Sequence, residues 1–277
     1  MHAIGTPNPS DSVGMHEIPV NTWEEFEVQL KELRRSHGDS ERRLLFRGQE
    51  KSSWSLDTTL DRNNGTGMVY AEYYRIISKV QPQIECFTTN DWSIPTYPDV
   101  AKLGKEYDNF SLALISGKLP AYAYMVHLRH HGFPSPLLDW SHSPYVAAYF
   151  AFRNASDKND DRVAIYVFSE APFAVKGNLL PCIYRFGPYV ETHRRHFLQQ
   201  SEYTMCFYFD NEWRFEQHEK VFASNGQHQG TLWRFTIPSA ERLTVLKLLD
   251  EYNLNAYSLF ESEDTLMETL GLRTLHF

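Results

Sequence analysis

The chain has 277 residues, room for one large domain or two small ones and for a sizeable core. Apolar residues at 42% and charged residues at 22% are ordinary for a soluble globular protein. A net charge of −8 argues against broad, sequence-blind binding to nucleic acid or to an anionic membrane.

In chain order, Met1 to Met15 is polar with Gly and Pro, which fits neither a signal peptide nor an anchor. Residues 1–18 are expected to form a flexible N-terminal tail, and 19–277 a single α+β domain. Asn21-Thr22-Trp23-Glu24-Glu25 starts a helix, with Asn21 or Thr22 as its cap and acids in its first turn. Arg42 to Gln49 reads as the first strand, and Trp54 to Thr59 as a short extended piece. Gly65 to Val80 turns into a helix, Cys86 to Asp108 reads as irregular, and Ser111–Ile115 and Tyr122–His130 read as helical. Leu137 to Pro144 looks like a polar turn that feeds a helix over Val146–Arg153. Strands are expected at Val163–Phe168, Pro181–Tyr184, Tyr203–Phe209 and Leu232–Ile237, and helices at Ser239–Asn253 and Glu263–Leu270. No apolar run approaches the roughly 18 residues that span a bilayer. Cys86, Cys182 and Cys206 have no CxxC spacing and read as reduced thiols of a cytoplasmic protein.

Three segments carry candidate chemistry. Leu44-Leu45-Phe46 is an apolar strand that ends at Arg47, Gly48 and Gln49. An ordinary arginine there is a surface ion pair, but a buried strand beside a glycine that admits close backbone approach points Arg47 into a cleft. Asp139-Trp140-Ser141, with Ser143 and Pro144, reads as the cap of the following helix, with Trp140 in the core; the same polar turn is suited to holding an anion. Gln200 and Glu202 lie two apart at the start of a strand and so share a face. A carboxylate and an amide aimed into a cleft bind a ribose hydroxyl and stabilise developing positive charge; the plain alternative is a solvated strand edge. Glu219, beside His218, is a rival acid in what looks like a charged surface turn, and with Arg214 this pair is the weakest candidate, a nuclease. His130 and His131 are adjacent, so they point apart, and no third ligand lies at zinc spacing; no metal site is expected.

At these residues the chain resembles the FRG domain family. Its Phe-Arg-Gly is Phe46-Arg47-Gly48. Its His-x-Gly-x-Pro leading into Leu-Leu-Asp-Trp is His130 to Pro134, then Leu137 to Ala148. Its Arg-x-x-x-Gln-Gln segment is Arg195 to Thr204. The chain has Ser135-Pro136 and Ser201 where the family often carries Thr-Arg and Gly. These motifs are in turn similar, in the same order, to those of the arginine-serine-glutamate class of ADP-ribosyltransferases: Arg47-Gly48, then Asp139-Trp140-Ser141 ahead of Val146-Ala147, then Gln200-Ser201-Glu202.

The resemblance implies an α+β single domain of mixed small sheets with flanking helices and an ADP-ribosyltransferase-like split-sheet core. It implies NAD+ as substrate, bound by Arg47, Gly48, Gln49, Asp139, Trp140, Ser141 and Ser143, with Glu202, Gln200 and Arg47 catalytic. An arginine holds a pyrophosphate bidentately, and a carboxylate stabilises an oxocarbenium-like state as the glycosidic bond breaks. The expected activity is transfer of ADP-ribose to an unidentified protein or nucleic-acid acceptor. The alternative is a non-catalytic nucleotide-binding module that uses the same cleft. Arg47, Ser141 and Glu202 are expected to line that cleft together.

Overall fold

The structure is a computed structural model and describes residues 14–37, 44–156, 161–171, 176, 180–187, 190, 192–223 and 230–277. Its centre is one eight-stranded mixed sheet rather than several small ones. The spatial order is β1 (Gly14–Pro19), β8 (Gly230–Pro238), β4 (Arg162–Glu170), β2 (Leu45–Gln49), β3 (Leu138–Ser141), β6 (Ser201–Asp210) and β5 (Cys182–Phe186), with β7 (Glu212–Phe215) also paired to β6. Only β1 and β8 run parallel among these neighbours; the other pairs are antiparallel. Residues 14–18, expected in the tail, are therefore sheet, because β1 pairs along its whole length with β8.

The central strand β4 is a run of β-branched and aromatic residues buried on both faces, as a strand with neighbours on each side and layers above and below must be. Alternation sorts its side chains. Val163, Ile165 and Val167 face one way, with Phe46, Trp233, Phe235 and Ile237. On that face pack α1 (Trp23–His37), α7 (Pro144–Phe152) and α10 (Arg242–Glu251). Thr22 caps α1, its Oγ1 accepting from the Glu25 amide at 3.2 Å, and Trp23, Phe26 and Leu30 form its buried side. The same face of β6 and β5 carries a second core with Tyr70, Phe110, Tyr203 and Phe207. It is roofed by α3 (Tyr70–Thr88), α4 (Tyr97–Leu103), α5 (Tyr107–Ile115) and α6 (Tyr122–His130). The segment expected to be irregular, 86–108, thus holds the end of α3 and all of α4.

The opposite face is thinner. Leu45, Leu138, Trp140, Tyr166 and Leu232 lie there under Leu56 and under Val221 of α9 (His218–Ala223). The short helices α2 (Thr59–Asn64), α8 (Arg195–Leu198) and α11 (Ala256–Phe260), and the last helix α12 (Glu263–His276), complete the chain. Among the described residues no helix is long and apolar enough to cross a membrane.

The sheet is all but parted at one place. β2 and β3 pair at a single position, Phe46 with Ser141, whereas β2 pairs with β4 at five. Beyond Phe46 the two strands diverge, and the candidate site lies in the gap.

Candidate functional site between β2 and β3

Gly48 explains why β2 ends as it does. A Cβ built on it would stand 1.9 Å from the Ala147 carbonyl oxygen and 2.6 Å from the Ala151 amide nitrogen. The backbone of α7 therefore rests directly on β2, and only glycine fits. Ser143 caps α7, its Oγ accepting from the Val146 amide at 3.3 Å, and Pro144 occupies the first turn. The cap expected at Asp139 or Ser141 thus sits at Ser143, because Leu138–Ser141 is strand β3, paired with β6 from Thr204 to Ser201.

Arg47 occupies the gap. Its Nη1 donates to the Asp139 carbonyl at 2.7 Å and lies 3.4 Å from Asp139 Oδ2. The guanidinium thereby serves a β3 carbonyl that a continuous ladder would have paired. Asp139 is also clamped by Arg129 of α6, whose Nε and Nη2 donate to its two carboxylate oxygens at 2.6 and 3.0 Å. Burial would raise the Asp139 carboxyl, but Arg129 and then Arg47 outweigh it and hold the group below the usual carboxylate range. Burial lowers the Arg47 pKa; Asp139 opposes that shift, and the charges of Arg129 and Arg62 add to it. For the Nε–Nη2 edge of Arg47 no described residue supplies an acceptor, and Nε is buried.

Arg47 lines a cavity of about 200 Å³. Phe46, Gly48, Gln49, Ser141, Gln199 and Ser201 wall it, with Trp54, Phe150, Arg62 and Glu50 also in contact. Arg47, Gly48, Gln49, Asp139, Trp140 and Ser141 are therefore brought together as expected. Ser141 has both its hydrogen bonds filled locally, donating to the Gln199 carbonyl at 2.8 Å and accepting from the Ser143 amide at 3.0 Å. Ser143 does not line the cavity; its role is the cap.

Glu202 and Gln200 do not line it either. Gln200 is exposed, in a left-handed turn with φ of 48° just ahead of β6. The alternation of β6 then puts Ser201 against the cavity and Glu202 on the sheet face of Trp140 and Arg47, where it does not line the cavity. Glu202 is 4% exposed. Arg185 Nε donates to its Oε1 at 2.6 Å, and His142 Nε2 lies 2.9 Å from Oε2. Burial would raise this carboxyl, but the neighbouring His142 and Arg185 bring it below its ordinary value.

The rival pair is also committed. His218 is fully buried, not in a surface turn. Its Nε2 lies 2.8 Å from Thr204 Oγ1, which accepts from Trp140 Nε1 at 2.8 Å. Burial and then the charge of Arg47 push its pKa down to about 3, so it is neutral near pH 7. Glu219 Oε1 accepts from the Leu56 amide at 2.9 Å and so anchors the segment that carries Trp54. Arg214 donates to the Gly67 carbonyl at 3.1 Å. His130 and His131 face different neighbours: His130 Nε2 is 2.7 Å from the Tyr203 hydroxyl, and His131 packs on His127 with ring centres 4.4 Å apart.

Sequence reasoning did not give a site role to Arg129, Arg62, Trp54 or Phe150, nor to Gln199 and Ser201, which it read only as motif positions. Arg129 carried one usable signal, a cation in the last turn of an apolar helix just ahead of the Asp139 segment. Comparison with known proteins places a family on part of this geometry: residues 42–160 match the family model of the FRG domain. The matched stretch runs from the start of β2 past α7, so it includes Arg47, Gly48, Arg129 and Asp139 and stops short of β6. No curated protein and no solved structure matches the chain.

Proposed function

We propose that the cavity between β2 and β3 is the binding site of a nucleotide-like anion, with NAD+ or a fragment of it as the expected ligand, and that the domain works as a binding module. The observation that carries this reading is Arg47, a cavity-lining cation whose buried Nε has no acceptor among the described residues. A buried charge with unfilled donors is costly, and a phosphate matches a guanidinium fork bidentately. Arg62 adds positive charge, and Trp54 and Phe150 supply flat apolar surface for a ring. The volume, about 200 Å³, is below the roughly 300–1,000 Å³ of drug-sized sites. A dinucleotide therefore inserts one part and lays the rest along the surface.

A second reading, transfer of ADP-ribose to a protein or nucleic-acid acceptor, is favoured by one observation. Glu202 shares the sheet face of Arg47 through the register of β2, β3 and β6, and it is held ionised by Arg185 and His142. Trp140 stands between the two, which is why binding ranks first.

The test is a thermal-shift and calorimetric titration with NAD+, ADP-ribose, AMP and inorganic phosphate. Binding at a hundred times Kd stabilises by about 2.7 kcal/mol. Arg47→Lys is expected to weaken every phosphate-bearing ligand, because a point charge does not reproduce the fork. Unchanged affinity in Arg47→Lys refutes the site. Release of nicotinamide by the wild type, lost in Glu202→Gln with NAD+ affinity retained, promotes the transferase reading over the module.

A further inference from the structure

The residue two positions beyond Arg47 specifies what else the ligand must carry. Gln49 is 7% exposed and walls the same cavity. Residues i and i+2 of a strand share a face at a spacing of about 7 Å, so Arg47 and Gln49 stand side by side. Gln49 Nε2 donates to the Ser55 carbonyl at 3.2 Å. A carbonyl only accepts, so the amide nitrogen must face Ser55 and the amide oxygen must face away. That oxygen, Oε1, is buried, and no described residue donates to it. Two residues that line one cavity thus carry buried, unpartnered groups of opposite sense: the donor Nε of Arg47 and the acceptor Oε1 of Gln49.

The ligand must bring an anion and a hydrogen-bond donor a short distance apart. An ammonium donor is excluded by its neighbours, since Arg47, Arg62 and Arg129 outnumber Asp139 and Glu50 around the gap. A neutral hydroxyl is compatible. The volume suits a pentose phosphate, and Trp54, 41% exposed at the mouth, offers a ring for a base that stays outside.

We infer that the cavity takes the ribose phosphate of a ribonucleotide, its phosphate on the Nε–Nη2 edge of Arg47 and one ribose hydroxyl donating to Gln49 Oε1. This rests on the nucleotide-site reading and makes Gln49 the residue that separates ribo from deoxyribo ligands. A site that hydrogen-bonds a substrate hydroxyl leaves a buried group unpaired when the hydroxyl is missing, and discrimination follows.

Calorimetric titration of the wild-type chain with ADP, 2′-deoxy-ADP, 3′-deoxy-ADP and inorganic phosphate tests it. One of the two deoxy analogues is expected to bind roughly tenfold more weakly than ADP, the size of one lost hydrogen bond. In Gln49→Met, ADP is expected to fall to the affinity of that analogue, while inorganic phosphate keeps its own. A merely structural Gln49 would lower all three nucleotides together and leave their ratio unchanged, which overturns the inference. So do equal affinities for all three nucleotides in the wild type, a result that needs no variant to fold. If neither phosphate nor any nucleotide binds, the nucleotide-site reading itself fails, an outcome distinct from nucleotides that bind without discrimination.

Discussion

Replacing Gly48 by alanine tests the claim that α7 rests on β2 without room for a side chain. The added Cβ would meet the Ala147 oxygen at 1.9 Å, against a closest tolerated approach of 3.0 Å, so α7 must retreat by about 1.1 Å. The atoms it meets are helix backbone, which cannot rotate away as a side-chain tip can. A gap of 0.5–1 Å forfeits a quarter to a half of each contact it opens, and α7 buries Val146, Ala147, Ala148 and Ala151 on this face. Overpacking of this kind costs about 1–3 kcal/mol and occasionally more. With backbone on both sides the upper end is expected, about 3 kcal/mol. That lowers Tm by roughly 6–12 °C at about 2–4 °C per kcal/mol for a large domain. Urea unfolding should show a lower midpoint with an unchanged m-value. A loss under about 1 kcal/mol would refute the packing argument and leave the Phe-Arg-Gly glycine to be explained by ligand contact alone.

Three further outcomes follow from the same geometry. Glu202→Gln is expected to cost about 2–3 kcal/mol at pH 7, since it breaks the ion pair between buried Glu202 and half-buried Arg185. Because the folded carboxyl titrates below its unfolded value of about 4.3, that contribution is complete above this pH and disappears as pH falls through the lower folded pKa; variant and wild type should converge below that folded pKa in urea unfolding. His218 adds acid sensitivity of the same sign, here from the burial of a neutral ring. Its unfolded ring takes a proton below about pH 6.5 and its folded ring only near 3, so stability falls across that window by up to about 1.4 kcal/mol per pH unit. His218→Gln should remove about one proton from that slope, and an unchanged slope would show that the ring is not held neutral. Arg129→Met is expected to weaken phosphate-bearing ligands severalfold by titration, because Asp139 then turns its full charge on Arg47 and competes with the anion; equal affinity would show that the Arg129–Asp139 clamp is only structural.

Much of the site was legible in the residues. An apolar strand ending in Arg47-Gly48 implies a cation delivered to a cleft and a backbone that something approaches, and both hold. Asp139 does lie beside Arg47 at the cavity, but it was assigned the wrong local structure. In Leu138-Asp139-Trp140-Ser141, polar residues alternate with apolar ones ahead of Pro144, a pattern shared by a helix cap and a half-buried strand. The strand prevails because β6, some 60 residues later in sequence, lies alongside to pair with it, and local pattern does not reveal so distant a partner. The orientation of Gln200-Ser201-Glu202 was undecidable for a related reason. A two-residue period states that Gln200 and Glu202 share a face but not which face, and a single left-handed residue at Gln200 shifts the phase of everything after it.

By itself, then, the sequence determined the apolar make-up of the core, the main strands and helices and the identity of the cation at the strand end. These depend on side-chain chemistry and short-range periodicity. Tertiary structure alone decided that β2 and β3 share one pair and then part, that the Arg47 guanidinium serves the stranded Asp139 carbonyl in that gap, and that Glu202 and His218 are spent on Arg185, His142 and Thr204 instead of facing the cavity. Each of these depends on which distant strand lies alongside and in what register, a choice settled by the burial of both sheet faces at once and by no single segment.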